Sequence, residues 1–211
     1  MRKRIHRKNT WIDMTPFVDV AFLILTFFIL VTKFKAEDVV TIKTPSSVSS
    51  EVITNENDAI VILFDKKGKV YFQVAKNSRK EVLKSLYFSK SLPMNSRTEV
   101  EFMKSGVIAT PLDEMTSYYS VSEEDRKELA IGIPATILNN ELYFLIKQIH
   151  DMKQGKEKWY IKGDNLAKYP SFKHILKSLK ENGIYEFNLI TSTEAIPSGT
   201  ALEREMSTKK K

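Results

Sequence analysis

The sequence predicts an α+β fold in two parts: a single N-terminal transmembrane helix, then a small two-layer α/β domain on the far side of the membrane. Three observations carry this. One apolar run of membrane-spanning length stands near the start, behind a basic tail. Beyond residue 58, short β-branched runs alternate with segments of helical period. Gly, Asp and Asn stand at the joints between them.

The 211 residues suffice for an anchor and one modest domain. A mean hydropathy of −0.27 excludes a multi-span protein. No cysteine is present, which excludes a disulfide framework, a thiol nucleophile and a cysteine zinc site, and suits an exported domain of a bacterial envelope. The formal charge of +7 is carried largely by the ends: Arg2, Lys3, Arg4, Arg7 and Lys8, then Lys209, Lys210 and Lys211. Between them lysines interleave with Glu and Asp, and no basic stripe with spaced aromatics tracks a phosphate backbone, so nucleic acid is not an expected partner.

Residues 1–10 form a basic cytoplasmic tail. Trp11 to Thr32 reads WIDMTPFVDVAFLILTFFILVT. As a helix it is about 33 Å long, enough to cross a hydrocarbon core of about 30 Å. The basic flank lies N-terminal, while Lys33 and Lys35 are offset by Glu37 and Asp38, so the N-terminus is inside. Trp11 sits where an interfacial aromatic is expected. The competing reading is a cleaved signal peptide, built on the basic start and the run Val20 to Val31. Phe34 occupies the place a small residue would need for cleavage, and an h-region has no use for Pro16 and Asp19. The expected location is the bacterial inner membrane, single-pass, in contact with lipid.

A carboxylate inside a span costs about 2.5–3.5 kcal/mol on insertion scales, which makes Asp19 informative. At 100° per residue Thr15 and Thr26 lie within about 40° of it, Ile12 and Leu30 share that face, and Asp13 lies well round the helix. This polar seam needs protein or water opposite it. Pro16 removes a donor and frees the carbonyl of Ile12 one turn before Asp19. On the residues alone two roles stay open: an ion carrier, or an assembly contact with Pro16 marking only a bent first turn.

Residues 33–58 read as a linker with a short strand at Val39 to Lys43. Residues 59–191 form the α/β domain. Ala59 to Phe64 and Lys69 to Val74, joined by Asp65-Lys66-Lys67-Gly68, predict a hairpin. Ser78-Arg79-Lys80-Glu81 is a capping box opening a helix with Val82, Leu83, Leu86 and Tyr87 on one face. Asn139 or Asn140 caps a second helix, with Leu142, Leu145, Ile146, Ile149 and Met152 at helical spacing. Lys158 to Lys162 is a strand. Phe172, Ile175, Leu176 and Leu179 mark a third helix, which Gly183 ends. Tyr185 to Thr191 is the last strand, and residues 192–211 read as a disordered tail.

His6, His150 and His174 are scattered, none at metal-ligand spacing with another His or a carboxylate. No Ser/His/Asp set, phosphate-binding glycine loop or HExxH is visible. Gly155 and Gly163 read as turns, and Asp164 as the residue shaping the turn after its strand. No enzyme, metal or cofactor is expected.

The run Ile12-Asp13-Met14-Thr15-Pro16-Phe17-Val18-Asp19-Val20 resembles the signature of the ExbD/TolR family, in which a Thr-Pro pair, two apolar residues and an Asp open the only transmembrane helix. Val39-Val40-Thr41-Ile42-Lys43-Thr44-Pro45 resembles the family's post-membrane segment. Tyr160-Ile161-Lys162-Gly163-Asp164, Tyr169 and Lys180-Glu181-Asn182-Gly183-Ile184 resemble the end of its periplasmic domain. Residues 93–156 exceed the family pattern and read as an insertion. The resemblance implies a motor subunit: a dimer inside a pentameric ring of an ExbB-like multi-span protein, with Asp19 carrying protons and a TonB-like or TolA-like partner receiving the work. Thr15, Pro16 and Thr26 then support the seam. Val39, Val40, Thr41, Ile42 and Pro45 are expected to become ordered, by strand pairing that Pro45 ends or by docking on the partner's rim; the alternative is an unstructured spacer. The other classes are a membrane-anchored adaptor whose Asp19 only fixes assembly, and a flagellar-type stator, for which no OmpA-like peptidoglycan motif is visible. Nothing in the chain separates protons from sodium.

Overall fold

A computed structural model describes residues 13–31, 40–47, 58–92, 95–136 and 139–194. The chain divides into two compact units, Met1–Asp38 and Val39–Lys211.

The first unit holds helix α1, Thr15–Val31. Its 17 residues rise about 26 Å. Among the described residues no helix is long and apolar enough to cross a membrane. Trp11, Ile12 and Thr32, the ends of the expected span, lie outside the described residues. α1 begins at Thr15 because Asp13 folds back on the chain: its Oδ1 accepts from the Thr15 amide at 3.0 Å and from the Thr15 hydroxyl at 2.6 Å. Pro16 therefore stands in the first turn, where its missing N–H has no intrahelical acceptor to lose.

The second unit is a mixed α+β fold around a five-stranded sheet. Its strands are β2 (Ala59–Phe64), β3 (Val70–Gln73), β4 (Val107–Ile108), β5 (Lys158–Gly163) and β6 (Asn188–Leu189), in the order β4-β3-β2-β5-β6. β2 and β3 form the expected antiparallel hairpin, with Ile62 opposite Phe72. Asp65 makes its turn, Oδ1 accepting from the amides of Lys67 and Lys69, both at 2.9 Å, while Gly68 takes φ +83°. β5 runs parallel to β2, with Phe64 opposite Gly163. All six residues of β2 are buried, so both faces of this central strand are covered.

The helices of this unit are α2 (Arg79–Lys90), α3 (Ser96–Ser105), α4 (Met115–Ser120), α5 (Arg126–Leu129), α6 (Glu141–Lys153) and α7 (Tyr169–Glu181). Asn140 caps α6, its side chain accepting from the Tyr143 amide at 3.0 Å, and Leu142, Leu145, Ile146 and Ile149 are buried. α7 buries Ile175 and Leu179 and is followed by Gly183 at φ +76°. The capping box expected at Ser78 does not form. A 3₁₀ turn, Lys76–Ser78, leads straight into α2, so Ser78 already has helical dihedrals and its buried side chain makes no cap bond. Val82, Leu83 and Leu86 are buried as expected, but Tyr87 is exposed and packs edge-to-face on exposed Phe88.

Residues 93–156 are built into the core rather than appended to it. Phe102, Ile108, Leu112, Met115, Tyr118 and Tyr119 are all fully buried, and β4 completes one edge of the sheet. Arg126 holds this region together. Its Nη2 donates to Glu101 at 3.0 Å and to the carbonyl of Val121 at 3.3 Å, and its guanidinium lies 4.9 Å from the Tyr119 ring centre. Burial pushes the Tyr118 phenol up to about 12.

The strand expected at Tyr185 to Thr191 is shorter: only Asn188 and Leu189 pair with β5, and it is not the last, since Ser192–Thr193 follows as a further strand. The strand expected at Val39 to Lys43 is not one over its described residues. Pairing starts after Pro45 instead, where β1 (Ser46–Ser47) runs parallel to β7 (Ser192–Thr193). Pro45 introduces this strand rather than ending the segment, because the group it presents is its carbonyl, which accepts from the Ser192 amide at 2.9 Å. The ordered chain thus includes Ser192, Thr193 and Glu194, which the sequence assigned to the tail, and residues 40–47 of the expected linker lie on the domain.

Candidate functional site

The first cluster is the polar face of α1. Among the described residues Asp19 is the charged residue of this helix, exposed in its second turn and surrounded in sequence by Phe17, Val18, Val20 and Phe22, all exposed. The seam expected around it is only partly polar toward Asp19. The Thr15 hydroxyl is committed to Asp13 at 2.6 Å, and the Thr26 hydroxyl donates to the Leu23 carbonyl at 2.9 Å. The Asp19 carboxylate makes no hydrogen bond to the described residues of the chain. A carboxylate left unpaired on a helix that is apolar all round has to find its partner outside that helix, in water, protein or a second copy.

The second cluster is the strap of residues 40–47 on the soluble domain. Val39 lies outside the described residues. Ile42 is buried, Val40 packs partly against the core, and Thr41 and Pro45 are exposed. The backbone of Lys43 is held at both ends: its N–H donates to Asp164 Oδ2 at 3.3 Å, and its carbonyl accepts from the Asn165 amide at 2.8 Å. Thr44 and Ser192 share a hydroxyl contact at 2.5 Å, and the Glu194 amide donates to the Ser47 carbonyl at 3.0 Å. Asp164 also shapes its own turn, Oδ1 accepting from the Leu166 amide at 2.9 Å. Sequence reasoning singled out Asp164 for that turn but missed its bond to Lys43, and it missed Asn165 and Ser192 altogether. No local signal connects residues so far apart in the chain.

His150 meets one carboxylate in the fold. Its Nδ1 lies 2.5 Å from Oε1 of buried Glu157, which also accepts from the Trp159 indole at 3.1 Å. A turn folds the start of β5 back on the end of α6, bringing together residues that the sequence separates. Among the described residues no group of three or more side chains is placed to hold a metal ion.

The family model described as biopolymer transport protein ExbD/TolR matches residues 6–194. The chain belongs to the ExbD/TolR family. The matched range begins before Asp19 and ends after β7. No curated protein and no solved structure matches the chain. Membership of the ExbD/TolR family implies energy transduction in biopolymer transport, an inner-membrane anchor as is typical of its members, and in general ExbB-like and TonB-like or TolA-like partners.

Proposed function

We propose that the chain is the proton-driven motor subunit of an ExbB–ExbD-like complex of the bacterial inner membrane, powering TonB-dependent or Tol-type work at the outer membrane. In this reading Trp11 to Thr32 spans the bilayer around α1, the N-terminus is cytoplasmic and the soluble domain is periplasmic. Two copies sit within a pentameric ring of an ExbB-like protein. The soluble domain carries out no catalysis and needs no metal or cofactor.

The observation that carries this reading is the unpaired carboxylate of Asp19 on an otherwise uncharged helix. A proton taken onto Asp19 from one side neutralises the helix while that face meets apolar wall. Contact with water or a polar group of the ring releases it to the other side. One charge crossing 100 mV yields about 2.3 kcal/mol, so a few protons supply useful work. Thr15, Pro16 and Thr26 shape the seam on either side of the carrier. The work leaves the membrane through Val39 to Pro45, the segment that engages the ring's rim or the TonB-like partner when it leaves its seat on the domain.

Asp19→Asn keeps size and polarity but cannot ionise. The variant is expected to reach normal levels, to co-purify with the ring and to lose transport. Transport at wild-type level would overturn the carrier role. Loss of co-purification would make Asp19 an assembly contact of a membrane-anchored adaptor.

A further inference from the structure

We propose that one end of the soluble domain, made by the β2–β3 turn, the loop after β5 and Lys43 of the strap, docks on an anionic lipid surface. The proposal rests on the reading of α1 as a membrane anchor. β2 and β5 finish side by side, Phe64 opposite Gly163, and the Asp164 amide donates to the Phe64 carbonyl at 3.0 Å. Gly68 of the hairpin turn lies so close to Ser171 that a Cβ there would stand 2.4 Å from its hydroxyl. Lys43 is bonded to Asp164 and Asn165. Three separate stretches of chain therefore meet at one end of the sheet.

What they present is amphipathic. Leu166, in the loop after β5, is 70% exposed, and Tyr169, the first residue of α7, is 68% exposed and packs against Phe172, which in turn stacks on Phe64. Exposed Lys43, Lys66, Lys67 and Lys168 stand on the same three stretches. The carboxylates Asp65 and Asp164 accept from the amides of Lys67, Lys69, Lys43 and Leu166 and from the Tyr71 hydroxyl. Exposed leucine and tyrosine side chains together with exposed lysines match a headgroup interface, where the apolar groups enter the acyl boundary and the ammonium groups meet lipid phosphates. Tether length favours the same occupant. Eleven residues separate Val31 from Lys43, a chain of at most about 43 Å even fully extended.

The absence of cysteine allows single-site labelling of the full chain in nanodiscs. Fluorophores at Leu166→Cys, Phe22→Cys and Glu124→Cys are read against a lipid-borne quencher, in phosphatidylglycerol-containing and pure phosphatidylcholine discs. The expected result is quenching at Phe22→Cys in both lipids and none at Glu124→Cys. Quenching at Leu166→Cys should be several-fold stronger with phosphatidylglycerol, and should be lost with Lys67→Glu and Lys168→Glu or at high salt. Quenching at Phe22→Cys but not Leu166→Cys would overturn the docking and leave the anchor standing. Equal quenching of Leu166→Cys in the two lipids would overturn its anionic character. No quenching at Phe22→Cys would overturn the anchor, and the docking with it.

Discussion

Asp164, at the end of β5, accepts a hydrogen bond from the backbone amide of Lys43 at 3.3 Å, joining residues 121 apart in the chain. The same carboxylate holds the Leu166 amide, so one side chain both turns the loop and seats the strap.

Replacing Asp164 by Ala removes the acceptor for two amides at once. Global stability should fall by about 1–3 kcal/mol, since each of the two hydrogen bonds contributes about 0.5–1.5. Hydrogen exchange at the Lys43 and Leu166 amides should accelerate well beyond that of β2. Asp164→Asn keeps an acceptor oxygen and should restore part of the protection. Unchanged exchange at Lys43 would show that Ile42, not Asp164, seats the strap.

Ile42 supplies the strap's buried apolar contact, with 9% of its surface exposed. Ile42→Ala should cost about 2 kcal/mol, the low end for a large-to-small change in a core, because the site lies at the edge of the core and can collapse. Limited proteolysis near residue 42 should quicken several-fold while the urea transition of the sheet stays cooperative. A uniform loss of protection throughout the domain would mean that the strap is integral to the core.

Gly163 faces the Phe64 ring: a Cβ would stand 2.2 Å from Phe64 Cζ. The ring is held from its other side by its stack on Phe172, with centroids 6.0 Å apart. Gly163→Ala therefore overpacks the end of the β2–β5 pair and should cost about 1–3 kcal/mol in a thermal or urea melt. Adding Phe64→Leu to the same chain should recover part of that loss.

The Glu101 carboxyl is held below its usual range by hydrogen bonds from Lys104 and from Arg126. Its folded value lies below the unfolded one, so its contribution is present above the unfolded value and is lost as pH falls through the folded one. The urea midpoint should therefore drop as pH falls into and below the ordinary carboxylate range, and Glu101→Gln should flatten that dependence. Arg126→Met should cost about 2 kcal/mol at neutral pH, less than for a fully buried pair because Glu101 keeps Lys104.

Much of the fold was legible wherever the signal is local. The hairpin at Asp65 follows from β-branched runs on either side of a turn whose Asp and Gly have defined jobs. Asn140 caps α6, and Gly183 follows α7 at positive φ, because a helix end leaves orphan groups that a neighbouring residue must satisfy. The carboxylate of Asp19 stood out against its apolar neighbours before any coordinate was known, as did the family pattern around it. Local signals also misled. Ser78 has the capping residue's chemistry, but the 3₁₀ turn before it fixes its dihedrals first.

By itself, the sequence determined the type and order of the long elements outside residues 93–136, the isolated carboxylate of α1 and the resemblance to the ExbD/TolR family. The elements and the carboxylate rest on periods and spacings within ten or so residues, whereas α3 (Ser96–Ser105) escaped that reading. Only the tertiary structure decided that Lys43 seats on Asp164, that Ser46–Ser47 pairs with Ser192–Thr193, and that residues 93–156 share the core through Phe102, Tyr119 and a two-residue β4. A strand of two residues has no period to read. Its pairing is fixed by which distant backbone groups remain unsatisfied once the core has closed, and that is a property of the packed chain.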